Sequence, residues 1–525
     1  MSDDLSKARG TGARTDWLLV LVSVALHALA FPPWDQPLAA WVALAPLLLA
    51  LRKKTAGRAL LLGFVWGAGS IWAQGYWVPL GISYYYDQPL VFGILFSLAA
   101  SIVFYATYTA LFALAASRLP PGWSAFPRAC SLGVLFVTAE WARASFLSGD
   151  PWLLLGYALV PGLGFAQIAD LGGVYILSFF LVLANAALVE CWAGFPQRSG
   201  VRLKEALSTL ALAVLIPGVY GVWRLLDPVE AAETMPIAIV QTDQDLGAHW
   251  QEEFYGRGLR DYVALSEKAV DAGAEFLFWP EGSINFFVAD DPNYRNYIES
   301  AVASWDVDLI LGGPFRESNP EGDESYRNSA FYLEPEGGLV DRYDKHRLLP
   351  FGEYFPLQMI HFLRRFERVR SFTPGTGPSW IDTRQGRMAI SICFEAIFPD
   401  EVRRQMNDGA QILVNLSNDA WLGPGAGPAQ HLLMVRLRAI ENRTWVVRAT
   451  PTGISALINP YGSIEGELPR GEAGFLAGEV ALLSISTPYQ RYGDVFAGLC
   501  AFGSGLVLLM AHGPLSRRRG RLGSS

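Results

Sequence analysis

The sequence is poor in charged residues and in cysteine. Only 17% of its 525 residues are Asp, Glu, Lys or Arg, and 51% are apolar, whereas a soluble domain carries about 25% charge. Its four cysteines are too few for a scaffold in which disulfides replace a hydrophobic core. This composition excludes a fully soluble protein, a disordered chain and a disulfide-stapled miniprotein.

The sequence also lacks the common metal and phosphate motifs. Its six histidines show no metal-type spacing, and neither a CxxC nor an HExxH motif occurs. No glycine-rich loop has the character of a phosphate site. We therefore expect neither a metal nor a cofactor.

The charge that is present is unevenly distributed. Residues 15–225 contain 19 charged residues, too few to cover a water-facing surface, whereas residues 226–492 contain 61. The second region has 38 acidic and 23 basic residues, and this negative excess disfavours nucleic acid as a partner. We expect a membrane domain over 1–225, a polar domain over 226–492, and a C-terminal transmembrane helix with a basic tail over 493–525.

Apolar runs predict about eight membrane-spanning helices, because a bilayer core of about 30 Å needs about 20 residues per helix. The candidate spans are 17–34, 37–51, 59–78, 90–117, 126–147, 170–193, 205–225 and 493–512. The loops between them alternate between segments with several Lys and Arg residues and segments with few or none. By the positive-inside rule this places both termini inside and residues 226–492 outside. Alternatively, residues 1–30 are a signal peptide ending in Ala28-Leu29-Ala30.

Two charged residues stand within a predicted span. Glu140 and Arg143 are three residues apart and so share one face of a helix. Charges in a bilayer are usually paired or functional. One interpretation is a structural ion pair; the other is that Arg143, at the outer membrane face, holds a lipid phosphate.

The polar domain alternates short β-like runs with helical stretches, which predicts an α/β sandwich. Sites in such sheets gather at the C-terminal ends of strands. The predicted strands include 236–241, 275–279 and 388–393, and segments 328–334 and 338–343 are predicted to form a hairpin. Glu281 follows strand 275–279, Cys393 ends strand 388–393, and Lys345 follows the hairpin.

Cys393 is the one cysteine of the polar domain, so it has no disulfide partner there. A lone thiol is either catalytic or buried and inert. A catalytic thiol needs a base and a cation, and Glu281 and Lys345 are the candidates. The alternatives stay open: Glu281 caps a helix, Lys345 is a solvated surface residue, or His346 is the base of a Cys–His pair.

Several segments resemble known families. Those that resemble the Glu–Lys–Cys segments of the nitrilase superfamily are Trp279-Pro280-Glu281, Tyr343-Asp344-Lys345-His346-Arg347-Leu348-Leu349-Pro350-Phe351-Gly352-Glu353-Tyr354 and Ser391-Ile392-Cys393-Phe394-Glu395. Those that are similar to the apolipoprotein N-acyltransferase family in particular are the long Lys segment, Asn415-Leu416-Ser417-Asn418-Asp419-Ala420-Trp421-Leu422-Gly423, Glu140-Trp141-Ala142-Arg143, Gly149-Asp150-Pro151-Trp152 and Gly172-Gly173-Val174-Tyr175.

This resemblance implies a fold and a reaction. The fold is a nitrilase-like αββα sandwich attached to a polytopic α-helical membrane domain, in the bacterial inner membrane with the catalytic domain on the periplasmic side. Cys393 would take an acyl chain from a phospholipid, phosphatidylethanolamine being expected. The thioester would then pass the chain to the α-amine of a diacylated apolipoprotein, with Glu281 as general acid–base and Lys345 stabilising the oxyanion.

The resemblance also implies supporting residues. Glu353 would orient Lys345, and Phe394 and Glu395 would support the same network. Trp250 would contact lipid, and residues 355–372 would lie on the membrane or pack on the domain itself. The sequence departs from the family at Thr242–Leu246, at Pro451 and at Phe394, which replaces a common Tyr.

Two other classes of protein compete with this interpretation. A membrane-tethered amidase or nitrilase-type hydrolase would use the same three residues, with water as acceptor. A transporter or scaffold with an inactive domain would need none of them.

Overall fold

The computed structural model has two compact units. The residues that it describes are 2–85, 87–147, 149–194, 200–229, 233–245, 252–318, 324–355 and 372–512. The helical unit comprises the described residues up to Pro228, Leu422–Leu433, and those from Tyr492 onward; the α/β unit comprises those of Val229–Trp421 and Met434–Arg491. The predicted basic tail lies outside the described residues.

The helical unit is built from long apolar helices. Its helices are Ser2–Leu29, Pro37–Ala43, Ala45–Leu51, Ala56–Gln74, Val78–Tyr85, Leu90–Ala100, Thr107–Ser117, Ala125–Ser145, Leu163–Ala166, Ala169–Gly194, Gly200–Leu226 and Val495–His512. A π-helical segment, Ser101–Ala106, makes Leu90–Ser117 continuous. In the described residues Leu90–Ser117, Ala169–Trp192 and Gly200–Leu226 are long and apolar enough to cross a membrane. A helical N-terminal region is confirmed, and the count of eight spans stays a prediction.

Gly173 interrupts the helix Ala169–Gly194. Its backbone has φ 65° and ψ −161°, a conformation that is open essentially to glycine alone. Gly156 packs close by, since a Cβ there would lie 2.3 Å from the Val174 carbonyl oxygen. Gly173 therefore permits the break in the helix, and Gly156 permits its own segment to approach the helix backbone closely.

Glu140 and Arg143 do not form the expected ion pair with each other in the described residues. Glu140 Oε1 accepts a hydrogen bond from the Leu155 N–H at 2.7 Å. Arg143 Nη1 donates to the Trp152 carbonyl at 3.1 Å, and its guanidinium lies 4.2 Å from the centre of the Tyr105 ring. Each charge has found a backbone partner in the segment that follows the helix. The lipid-phosphate role of Arg143 stays a prediction.

Gln430 holds residues 422–433 within the helical unit. Its side chain is fully buried and makes four hydrogen bonds. Oε1 accepts from the indole N–H groups of Trp77 and Trp152, both at 3.1 Å. Nε2 donates to the carbonyls of Pro32 at 3.1 Å and Gln74 at 3.0 Å. One amide therefore satisfies groups from three separate loops, which none of those loops could do alone.

The α/β unit contains two six-stranded sheets. In chain order the strands are β1 (Met235–Gln241), β2 (Phe276–Phe278), β3 (Asp308–Ser318), β4 (Glu324–Glu334), β5 (Gly338–Asp344), β6 (Trp380–Asp382), β7 (Arg387–Ile392), β8 (Ile412–Leu416), β9 (Val446–Ala449), β10 (Ser455–Ile458), β11 (Ile464–Leu468) and β12 (Gly474–Val480). The sheet orders are β12-β1-β2-β3-β4-β5 and β11-β10-β9-β8-β7-β6. Each sheet has three parallel strands at its centre, β1-β2-β3 and β7-β8-β9.

The two sheets share one apolar core. Side chains of β1 alternate: Ile237 and Ile239 belong to a cluster with Ile390 and Val414 of the other sheet. Those pointing the opposite way join a second cluster beneath the outer helices Leu259–Asp271 and Pro292–Trp305. Helix Pro399–Asn407 packs against β7 and β8 of the second sheet, and residues 434–442 of the helix Gly427–Asn442 belong to the same unit. The predicted α/β sandwich is confirmed, because strand side chains alternate between the inter-sheet core and a helical layer.

We predict that Gln430→Leu destabilises the helical unit. The near-isosteric change leaves two indole donors and two backbone acceptors without their partner, and each stranded buried group costs about 1–3 kcal/mol. Thermal unfolding in detergent should show a clearly lowered Tm. Gln411→Leu is the matched control, because the Gln411 amide donates one side-chain hydrogen bond, to Ser484. Equal Tm values for the two variants would contradict this role of Gln430.

Candidate active site

The ends of three strands supply the candidate catalytic residues. Glu281 stands three residues after β2, and Lys345 directly follows β5 of the same sheet. Cys393 directly follows β7 of the other sheet. The sandwich therefore collects groups from distant parts of the sequence at strand ends.

The backbone of Cys393 is held in an uncommon conformation. Its φ is +51°, in the left-handed region that non-glycine residues rarely adopt, and it opens the short 3₁₀-helix Cys393–Ile397. Such strain persists only where the surroundings over-determine it. The sharp turn from strand to helix fixes the position of the thiol relative to β7.

Glu395 supplies much of that constraint. Its carboxylate is buried and accepts from the backbone N–H groups of Ile392 at 2.8 Å, His346 at 2.7 Å and Arg347 at 2.9 Å. The Tyr343 hydroxyl donates to it at 2.9 Å. Glu395 thus ties the cysteine turn to the segment that carries Lys345. Burial raises the pKa of Glu395 to about 7, with Lys345 opposing the shift.

Lys345 is a buried cation between two carboxylates. It is 1% exposed, and its Nζ lies 2.9 Å from Glu353 Oε1 and 3.6 Å from Glu281 Oε1. Asn328 Nδ2 donates to the same two oxygens, at 2.6 Å to Glu281 and 2.8 Å to Glu353. The Leu349 N–H donates to Glu353 Oε2 at 2.7 Å. Glu281, Lys345 and Glu353 therefore form one cluster held by hydrogen bonds.

Asn418 links the base to the thiol. Its backbone N–H donates to Glu281 Oε2 at 2.6 Å. Its carbonyl accepts from the Cys393 thiol at a Sγ–O distance of 3.9 Å. Glu281 and Cys393 therefore contact the same residue, one through its N–H and the other through its C=O.

The electrostatics of the cluster define the resting protonation states. Burial, reinforced by the Glu281 charge, raises the pKa of Cys393 to about 12, although Lys345 opposes the shift. Burial also raises the pKa of Glu281; the Lys345 charge opposes this rise, and the Glu353 charge adds to it. Burial alone would lower the pKa of Lys345, but the carboxylates of Glu353 and Glu281 raise it above its ordinary value. At neutral pH the thiol is protonated and needs a base, and the cation beside it is permanent.

The remaining predicted site residues are placed elsewhere or are not described. Phe394 is half-buried, with its ring 5.0 Å from that of Phe398 and against the inter-sheet core. Arg143 belongs to the helical unit. Trp250 and residues 356–371 of the predicted amphipathic segment lie outside the described residues.

His346 is not placed as the base of a Cys–His pair in this arrangement. Its Nδ1 pairs with the Ser379 hydroxyl at 3.2 Å. Its ring packs against Tyr343 at a centroid distance of 5.3 Å. Among the described residues no hydrogen bond joins the ring to Cys393, and no group of three or more His, Cys, Asp or Glu is placed to hold a metal ion.

Sequence reasoning missed two members of the cluster. Asn328 stands at the beginning of the predicted strand 328–334, where a polar residue carries no signal of its own. The backbone of Asn418 contributes an N–H and a carbonyl, which no side-chain motif can reveal. The one hint in the sequence was the position of Asn328, a polar residue just before the buried part of β4.

Comparisons with known proteins match nearly the whole chain. The family model for the apolipoprotein N-acyltransferase N-terminal domain matches residues 23–187, and the carbon-nitrogen hydrolase model matches residues 236–487. The apolipoprotein N-acyltransferase of Geobacter metallireducens is 36% identical over 503 residues, which is 95% of this chain and 95% of that protein. That of Vibrio parahaemolyticus is 30% identical over 477 residues, 89% and 91% of the two chains.

Solved structures of the nitrilase superfamily are also similar. Nit3 of Saccharomyces cerevisiae is 20% identical, with a TM-score of 0.36, and the match covers 48% of this chain and 91% of that one. The sequence matches, which cover both the helical N-terminal region and the α/β region, carry the assignment. The chain belongs to the apolipoprotein N-acyltransferase family.

Proposed function

We propose that the protein is an acyltransferase that moves a fatty acyl chain from a phospholipid, through a thioester on Cys393, to the α-amine of the N-terminal diacylglyceryl-cysteine of an apolipoprotein. The observation that carries the proposal is the convergence of a buried thiol, a carboxylate and an ammonium group at strand ends in a chain of this family. The relatives are named for that activity.

In the first half-reaction the thiol attacks the ester. Glu281 takes the proton of Cys393 as the sulfur bonds to the carbonyl carbon of the phospholipid. The carbonyl oxygen becomes an oxyanion, which the Lys345 ammonium stabilises. When the tetrahedral intermediate collapses, the carbon–oxygen bond of the ester breaks and Glu281 returns its proton to the lysophospholipid alkoxide. The thioester on Cys393 remains.

In the second half-reaction the amine of the acceptor attacks the thioester. Glu281 takes a proton from the attacking nitrogen, and Lys345 again stabilises the oxyanion. Collapse breaks the carbon–sulfur bond, forms the amide and returns the proton to the thiolate. Water would also cleave a thioester, so the near-complete burial of Cys393 and Lys345 favours transfer over hydrolysis.

The surrounding residues have supporting roles. Glu353 positions Lys345 through the 2.9 Å ion pair, and Asn328 keeps the two carboxylates side by side although both are negative. Glu395 holds the cysteine turn. None of these three needs to touch substrate for the reaction to proceed.

The location follows from the substrates. Both are lipids with their polar groups at the membrane surface, so a thiol that reacts with them must be held there. The proposal is a multi-pass protein of the bacterial inner membrane with a membrane domain over 1–225, a periplasmic catalytic domain over 226–492 and a C-terminal helix over 493–525. Its support is the alternation of basic loops and the apolar helices of the structure. Phosphatidylethanolamine is the proposed donor, and Arg143, Trp250 and residues 355–372 are proposed lipid contacts.

A hydrolase would use the same three residues with water as the acceptor. The apolar helical unit disfavours it, because hydrolysis of a small soluble amide requires no membrane apparatus. A transporter or scaffold is disfavoured because it would not need a buried charged cluster beside a strained cysteine, which is expensive to maintain.

We predict that purified protein transfers the acyl chain of a fluorescent phospholipid to a diacylated lipopeptide. Cys393→Ser should fold normally but lose turnover, because an alcohol is a far weaker nucleophile than a thiolate. Cys191→Ser, which changes a half-buried cysteine of the helical unit, is the matched control and should retain activity. Release of free fatty acid alone would favour the hydrolase, and transfer by Cys393→Ser would refute the assignment.

We predict that Lys345→Ala slows acyl-enzyme formation by about 100-fold or more, the usual cost of removing an oxyanion donor. The alanine variant also leaves Glu281 and Glu353 without their shared cation. Lys268→Ala, in the helix Leu259–Asp271, is the control for the loss of a lysine. Single-turnover acylation measured by mass spectrometry gives the rates; a normal rate for Lys345→Ala would exclude this role.

We predict that acylation is lost on acidification at a pH above the ordinary glutamate range. The base must be unprotonated to take the thiol proton, and the pKa of Glu281 is raised, mainly by burial. The rate therefore falls as pH decreases through that raised pKa. Single-turnover rates across pH 4 to 9 should show the acid limb; a limb at or below about 4.3, the ordinary glutamate value, would contradict the arrangement.

A further inference from the structure

A buried ion pair lies next to the catalytic cluster without being part of it. Arg448 on β9 and Asp419 are both essentially inaccessible to solvent, and Arg448 Nη2 lies 2.7 Å from Asp419 Oδ2. A substitution of Gly453 would disturb the pair, since a Cβ there would lie 2.7 Å from the same carboxylate oxygen. Burying two charges is costly, so the pair calls for an explanation.

The pair binds the segment at the end of β8. Arg448 lies opposite Asn415 in the parallel β8–β9 register, and its Nη1 hydrogen-bonds to Asn415 Oδ1. Asp419 Oδ1 accepts from the Ser417 hydroxyl at 2.9 Å. One guanidinium therefore binds both ends of segment 415–419, which comprises the end of β8 and the three residues after it, with the planar fork geometry that lysine lacks.

This segment contacts the reacting groups. It contains Asn418, whose N–H donates to Glu281 and whose carbonyl accepts from the Cys393 thiol. At the other end, Asn415 Nδ2 donates to the carbonyl of Ser391, two residues before the cysteine, at 3.0 Å. The segment thus contacts both the base and the strand that presents the nucleophile.

The charge of the pair also acts on the thiol. The Asp419 carboxylate is among the groups that raise the pKa of Cys393, after burial and the Glu281 charge. Arg448 neutralises that carboxylate at short range. The other charged groups that face the base and the thiol are Lys345, Glu353, Glu395 and Asp245, which accepts from Asn418 Nδ2.

We propose that Arg448 is a positioning residue for the acylation step: through Asp419 it holds Asn418 against Glu281 and Cys393, and it cancels a negative charge that would otherwise oppose proton removal from the thiol. This inference rests on the proposed function, and it assigns to the pair a role beyond the stability of the fold.

The test is the pH dependence of acyl-Cys393 formation in two single variants. Arg448→Met leaves Asp419 uncompensated, so the base and the thiol both hold their protons more tightly. The acid limb moves to higher pH and the rate at neutral pH falls by 10-fold or more. Asp419→Asn keeps the size of the side chain but leaves the guanidinium charge, so the acid limb moves to lower pH. If the pair has only a structural role, breaking it lowers the folded fraction and leaves the acid limb of the pH profile at its wild-type position.

Three further variants keep the test decisive. The double variant Arg448→Met/Asp419→Asn removes both charges, the less damaging change for a buried pair, and should return the limb to the wild-type position. Arg403→Met and Asp400→Asn, which break a half-exposed pair on the helix Pro399–Asn407, should leave the profile unchanged. Circular dichroism and thermal melting give the folded fraction for each.

The outcomes separate this inference from the proposed function. Opposite shifts for Arg448→Met and Asp419→Asn, with recovery in the double variant, support the positioning role. Unchanged limbs, or shifts in the same direction, overturn it while acylation of the wild-type protein leaves the proposed function intact. Absence of any wild-type adduct overturns both.

Discussion

The buried ammonium group of Lys345 is the constraint on which the rest of the site depends. A charge removed from water is tolerated only when paired and hydrogen-bonded, and Lys345 is 1% exposed. Glu353 at 2.9 Å and Glu281 at 3.6 Å supply the pairing. Two carboxylates beside one cation leave an excess of negative charge, which the amide of Asn328 relieves by donating to both. The cation thus fixes the base in place while remaining available to a developing oxyanion.

The thiol is governed by the same balance. Burial and the Glu281 carboxylate keep Cys393 protonated at rest, so the nucleophile forms only as its proton moves to the base. A resting thiolate would itself need a stabilising cation, whereas the protonated thiol leaves the Lys345 ammonium paired with Glu281 and Glu353 until the substrate carbonyl becomes an oxyanion. The strained backbone at Cys393 and the four donors around Glu395 hold the sulfur in a fixed position against the carbonyl of Asn418. The fold therefore arranges the reacting groups before the substrate binds.

The sequence predicts the buried strands and the residues that stand at their ends. Strand 236–241, strand 388–393 and the hairpin 328–343 were predicted within one to four residues, because buried strands leave apolar runs and turns leave polar breaks. Glu281, Lys345 and Cys393 could be located because sites gather at strand ends. Strands β6 and β9–β12, which are short or mixed in polarity, were not predicted. Nor were Asn328 and Arg448, whose roles arise from contacts across the sheets that no local pattern records.

Of the two interpretations of Glu140 and Arg143, a direct ion pair between them is not what the structure shows, for a similar reason. Spacing of three residues on a helix permits an ion pair, but both side chains found partners in the segment 152–155, which a helical pattern cannot show. Helical spacing reports which face a residue occupies, and tertiary packing decides what it touches.

The central claim is that Cys393 carries the acyl chain. The most direct test is mass spectrometry of the protein after exposure to phospholipid alone, without acceptor. A mass increase of one acyl chain, labile to hydroxylamine as a thioester is, and confined to the peptide that contains Cys393, is the predicted result. An adduct on another residue, or acyl transfer without any trapped adduct, would contradict the account.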